Sequence, residues 1–245
     1  SGSLSAGGKL VIPGFVNAHT HLDKADLLTL ITHEEFGYTL EQNRKLIRRF
    51  KKEYSIPEVK ERAGKVALEM LQHGITALRT QVDVDPTAGL TPLKALLQLK
   101  EELADKMTIQ VSAFPQEGVI KAGAYEMIEE ALKDGADVLG GLPLVEEGRE
   151  NQEKHIDLLF RLAMKYDRNM DVQIDESNDP QDFILPYLAE KTIREGFQGR
   201  VAATHCISLS AVDDASAMPV IQKMADAKMT VIITPSCNLI TRFPE

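Results

Sequence analysis

Only two cysteines, Cys206 and Cys237, occur in the 245 residues. They are too few for a disulfide framework, which points to a reducing compartment and a cytoplasmic location. No apolar run approaches the roughly 18–20 residues that cross a bilayer, which argues against a membrane partner. The opening SGSLSAGG lacks a basic stretch followed by an apolar one. Residues 1–10 therefore read as a flexible lead-in rather than a targeting signal. Basic side chains are in the minority, 28 against 37 acidic, for a net charge of −9. That balance argues against binding along a nucleic-acid backbone. A G-x-G-x-x-G turn, a P-loop, a C-x-x-C pair and a nucleophile elbow are all missing from the sequence, so nothing marks a dinucleotide, nucleotide, redox or serine-hydrolase site.

What is there is a soluble-globular composition, 43% hydrophobic and 27% charged, arranged as alternating strand and helix patterns. Strands are predicted over Gly14–Leu22, Ile75–Val82, Met107–Phe114, Ala136–Pro143, Asn169–Asp175, Arg200–Ile207 and Met229–Pro235. After the first, successive strands start roughly 30 residues apart, the length of a βα unit. Helices are predicted over Ser55–His73, Thr91–Lys100, Ala124–Lys133, Gln152–Tyr166 and Ala217–Ala227. The first two carry an early proline, and Gly74 and Gly135 supply stops. Such alternation implies a parallel sheet covered by helices. Polar residues at strand C-termini favour an α/β (β/α)8-type (TIM-like) barrel, spanning residues 11–245, over an open sheet. Seven strands are visible where a closed barrel wants eight. The chain is therefore expected to be cut short after strand seven and to need another chain or segment against its unpaired edges, as in a homo-oligomer. The stretch Asp23–Tyr54, with its charged run Arg44–Lys52, is expected to cap or overhang the mouth.

His19 and His21 form H-x-H at the end of the first strand. Residues i and i+2 of a strand share a face, and converging neutral imidazoles are ligands for first-row divalent metals. In MDVQIDES, Gln173 and Asp175 share a face and Glu176 stands at the strand's mouth. A carboxylate there could move a proton between water and a leaving nitrogen, or merely cap a loop. His205 ends VAATHCIS at the same rim. Gln116, in AFPQEG, could make a bidentate amide contact to a heterocycle, or pack under the rim as a turn residue. Gln81 and Asp83 are expected to stabilise the rim by hydrogen bonds. His33, His73 and His155 are expected at the surface, and Cys206 in the core.

Taken together, PGFVNAHTHLDK, RTQVDV, AFPQEG and DVQIDES make the chain resemble the cytosine deaminase group of the amidohydrolase superfamily, which includes the N-isopropylammelide isopropylaminohydrolase type. The resemblance implies a metal-dependent hydrolase. In it, water activated by one divalent ion, zinc or iron, attacks a carbon of a small N-heterocycle or cyclic amide and breaks a C–N bond. It assigns His19 and His21 to the metal, Glu176 to proton transfer, His205 to the water or the attacked group, and Gln116 to the ring amide. Three departures stand out. The fifth-strand ligand position holds Gln173 instead of histidine, a weak ligand. Gln81 replaces a second-strand histidine. The eighth-strand aspartate and the accessory β-sandwich are absent. These departures also allow a barrel that binds without catalysing.

Overall fold

A computed structural model describes residues 2, 5–32 and 40–241. All seven predicted strands form: β1 (Phe15–Thr20), β2 (Ile75–Asp83), β3 (Thr108–Phe114), β4 (Val138–Gly141), β5 (Asn169–Ile174), β6 (Val201–His205) and β7 (Thr230–Ile232). They lie in one parallel sheet in chain order. The helices among the described residues are α1 (Leu40–Lys51), α2 (Ile56–Gln72), α3 (Thr91–Glu102), α4 (Ala124–Lys133), α5 (Arg149–Tyr166), α6 (Leu185–Arg194), α7 (Asp214–Asp226) and α8 (Pro235–Thr241). The helix α2 shows the local logic. Ser55 caps its first turn by accepting from the Glu58 N–H, Val59, Ala63 and Ala67 bury one stripe at i, i+4 and i+8, and Gly74 at φ +87° ends it.

The sheet curls into most of a barrel wall, as contacts across its interior show. Arg79 on β2 reaches Asp171 on β5 at 2.9 Å, and the rings of His19 on β1 and His205 on β6 lie 5.3 Å apart. Between sheet and helices sits the apolar core, with Leu93, Leu96, Ile128, Leu159, Phe160 and Leu188 among its buried members. The barrel's inside is polar instead. Arg79 also donates to Gln110, and Thr204 donates to Asp171 at 2.7 Å. Among the described residues β1 and β7 each pair with one neighbour. Phe15 and Val16 on β1 and Val231 on β7 remain largely exposed.

The helix α1 was not predicted as a helix, but its place matches the expected cap: Asn43, Arg44, Ile47, Arg48 and Lys51 overhang the mouth of the barrel. The helix α6 was also missed, although Pro186 at its start and the buried Leu185, Leu188, Ala189 and Thr192 at i, i+3, i+4 and i+7 are helix signals of the same kind as those of α2.

Candidate active site

The strand C-termini open into a cavity of about 1220 Å³ lined by His19, His21, Gln116, Gln173, Glu176 and His205. All six residues singled out by the sequence thus meet at one mouth. The two imidazoles of H-x-H do not converge by simple alternation, however. Four residues of β1, from Asn17 to Thr20, run against three of β2, from Leu78 to Thr80, and His21 lies just past the strand end. This bulge re-aims the chain: Asn17 reaches Met70 on α2, while His19 and His21 stack edge to face at 5.1 Å in the cavity. Burial, aided by His205, lowers the His19 pKa to about 4. Burial and then Lys24 hold His21 well below its ordinary value. Both rings are therefore neutral.

Lys24 organises the rim. Its ammonium lies 3.1 Å from His21 Nδ1, donates to Gln116 Oε1 at 3.1 Å and pairs with Asp83 at 2.7 Å. Because Lys24 has only protons to offer, His21 Nδ1 must accept, and the neutral ring carries its proton on Nε2. The Gln173 amide nitrogen lies 3.3 Å from that Nε2, donor against donor; turning the carboxamide over puts its oxygen there and satisfies both contacts. With Gln116 Oε1 engaged by Lys24, the Gln116 NH2 is the end left to donate into the cavity.

Behind Lys24, Asp83 also pairs with Lys51 of α1, which bonds Asp85 at 2.5 Å as well. All three side chains are buried. Burial works against the charge on Lys51, but Asp83 and Asp85 hold its pKa above the ordinary lysine range. Burial likewise opposes the Asp83 anion, and Lys24 and Lys51 outweigh it and lower its pKa. Neighbouring Asp23 is pushed by burial to about 6. Asp83 thus holds the rim by ion pairs. Gln81 does not share this role: it is fully buried, and neither end of its carboxamide finds a hydrogen-bond partner among the described residues.

At the opposite rim, His205 Nδ1 meets Thr234 Oγ1 at 2.9 Å, and its Nε2 stands 4.0 Å from Glu176. His205 and Cys206 both take positive φ, 78° and 53°, and that backbone turn brings His205 back over the cavity. Cys206 packs in the core, and burial raises its thiol pKa to about 12. Asp175 belongs to the scaffold: at φ 54° its carboxyl turns away and accepts from the Ile184 and Leu185 N–H groups, capping α6.

His73 is exposed, and His33 lies outside the described residues. His155 departs from expectation: it is fully buried on α5 and hydrogen-bonded to Glu146 at 2.9 Å. Its helical spacing fits either face, and only the fold shows which face turns inward. Burial holds its pKa below 6.5 against the pull of Glu146. Below pH 6.5 the unfolded chain takes up a proton that the folded state refuses, so this contribution to stability is present above 6.5 and lost as pH falls. Urea unfolding at pH 6.5 and 5.5 should show a loss up to about 1 kcal/mol larger in the wild type than in His155→Gln; equal losses would contradict it.

A catalytic divalent centre takes three protein ligands around an open position. The described residues do not fit one as they stand. His21 faces a cationic donor at one nitrogen and carries its proton on the other, Gln173 offers a carboxamide, and His205 Nδ1 is engaged with Thr234. Among the described residues no group of three or more His, Cys, Asp or Glu side chains could hold an ion. No described helix is long and apolar enough to cross a membrane.

Parallel strands in chain order with a polar site at their C-terminal ends define an α/β-barrel of the enzyme-like type. The sequence profile of the amidohydrolase family matches residues 10–242, and the chain belongs to that family. It is 36% identical over 207 residues to the N-isopropylammelide isopropyl amidohydrolase of Pseudomonas sp. strain ADP, covering 82% of this chain and 51% of that protein. A crystal structure of 5-methylcytosine deaminase from Klebsiella pneumoniae liganded with 5-fluorocytosine superposes with a TM-score of 0.86 and 31% identity, over 94% of this chain and 57% of that one. N-isopropylammelide isopropylaminohydrolase from Burkholderia multivorans superposes with a TM-score of 0.78 and 32% identity, over 91% and 56% of the two chains. The chain thus spans about half the length of the curated relatives it matches.

Lys24, Lys51 and the Glu146–His155 pair are the functional neighbourhood that sequence reasoning missed. Lys24 had a local signal, three residues beyond His21 in HLDK. Lys51 had none, since a lysine in a charged run reads as solvated.

Proposed function

We propose that this chain bears the substrate and proton-transfer groups of a hydrolase that breaks a C–N bond of a small N-heterocycle or cyclic amide. The observation that carries this reading is the Lys24–Gln116 contact across the cavity from Glu176 and His205. Lys24 fixes Gln116 so that its NH2 can donate to a ring carbonyl or imine nitrogen. Glu176 takes a proton from water as it adds to the ring carbon, and returns it to the nitrogen that leaves. His205 hydrogen-bonds the water or the group under attack. Relatives named for attack on isopropylammelide and methylcytosine support this substrate class.

One divalent ion, zinc or iron, is proposed at His19, His21 and the Gln173 position. Because the described donors do not complete its site, no step is assigned to it. The direct test is release of ammonia or amine from cytosine, 5-methylcytosine and N-isopropylammelide, with Zn2+ or Fe2+ supplied. Glu176→Gln should lower turnover by about 10²–10⁴-fold; unchanged turnover refutes the role.

Gln173 and the Lys24 contact favour a second reading, a barrel that binds the ring without turning it over. Binding of these compounds with no product release would establish it. The exposed edges β1 and β7 lead us to propose a covering strand from a second copy of this chain, in the cytoplasm. Light scattering of the purified chain should then show a species above 27.1 kDa, and a monomer would count against it.

A further inference from the structure

Behind the cavity wall, a buried pair ties together two rim loops that the proposed chemistry depends on. The loop after β3 carries Gln116 and Glu117, and the loop after β4 supplies Leu142, Leu144 and Val145 to the same cavity. Glu146 Oε1 accepts from the backbone N–H groups of Val119 at 2.8 Å and Ile120 at 3.3 Å. Gly118, at φ +89°, lets this backbone rest on the carboxylate; a Cβ there would run into it. The same oxygen lies 2.9 Å from His155 Nδ1, while His155 Nε2 accepts from the Leu142 N–H at 3.2 Å. Each ring nitrogen therefore has one possible role: Nδ1 donates to the carboxylate, and Nε2 accepts from the backbone. One neutral imidazole on α5 thus sets the spacing of both loops.

The outer end of the β3 loop is held independently, Gln116 by Lys24 and Glu117 by Arg48 at 2.8 Å. Gln116 lies between the end of β3 at Phe114 and the Val119–Ile120 backbone that Glu146 holds. We propose that Glu146 and His155 are positioning residues that aim the Gln116 carboxamide at a bound ring. This rests on the reading of Gln116 as the ring-binding residue. Glu146→Gln is nearly isosteric and can keep its one oxygen on the three N–H donors, but a neutral amide accepts more weakly than a carboxylate, so the loop is held less firmly without the site being emptied.

The test is a double-variant cycle read by 19F NMR titration with 5-fluorocytosine. Gln116→Ala and Glu146→Gln should each weaken binding about 5–10-fold, and the double variant should bind no worse than Gln116→Ala within twofold. A general structural role predicts instead that the two losses multiply. Multiplied losses, or wild-type binding by Glu146→Gln, overturn this proposal alone. Absence of 5-fluorocytosine binding by the wild-type protein overturns both it and the ring-binding reading. His155→Asn can still donate to Glu146 but leaves Leu142 without an acceptor. It provides the second variant and should show the same dependence on Gln116, with faster hydrogen exchange at Leu142; unchanged exchange there would equally defeat the proposal.

Discussion

Replacing Gln173 by histidine is expected to raise the affinity of the protein for Zn2+ by about 10²-fold. The Gln173 carboxamide already lies 3.3 Å from His21 Nε2, so an imidazole on the same strand position would face His19 and His21 across the cavity. It would add a nitrogen lone pair where the wild type offers an amide, and two imidazoles would become three. Competition titration against a chromophoric chelator measures the change without relying on turnover. The gain should be accompanied by proton release, because His21 must give up its Nε2 proton, or shift it, before that nitrogen can bind. Equal affinity in wild type and variant would mean that β5 does not face the ion, and the proposed metal position would fall with it.

Truncating Lys51 to alanine is expected to destabilise the fold by about 3–5 kcal/mol. Lys51 bridges Asp83 and Asp85, and all three side chains are nearly sealed from solvent. Without it, Asp83 keeps Lys24, but among the described residues Asp85 retains only the N–H groups of Thr87 and Ala88. A buried anion that loses its cation bears the desolvation cost of charge with little in return. Urea unfolding reads the loss, and the Lys60–Glu102 pair supplies the control. That pair is partly exposed, so Lys60→Ala should change stability by no more than about 0.5 kcal/mol. Comparable effects from the two substitutions would show that the Lys51 network is solvated. Because Lys51 is also the last residue of α1, its loss should loosen the cap over the cavity and weaken ring binding.

The arrangement of the barrel could be read from the chain because it depends on local chemistry. Runs such as Val201–His205 and Met170–Ile174 are apolar and β-branched enough to be strands. Ser55 with Pro57, and Gly74, punctuate α2 by capping and by positive φ. Spacing of about one βα unit then leaves a parallel sheet as the sensible packing. The mouth residues followed from the same rule, since strand C-termini point to one end of such a sheet. His155 and Gln81 were misread for a different reason. Whether a polar side chain on a helix or strand is solvated, paired or stranded depends on what the far side of the fold presents to it, and sequence spacing carries no record of that.

By itself, then, the amino-acid order determined the seven strands and the helices α2, α3, α4, α5 and α7, and that His19, His21, Gln116, Gln173, Glu176 and His205 share one end of the sheet. Only the tertiary structure decided the state of those groups. It brought Lys24 to both His21 and Gln116, set Lys51 between two aspartates 32 and 34 residues further along the chain, and locked His155 between two loops. These are contacts between distant segments, made by side chains whose charge and proton positions are fixed by partners and burial. Proximity in space, rather than order along the chain, is what tunes an imidazole or an amide.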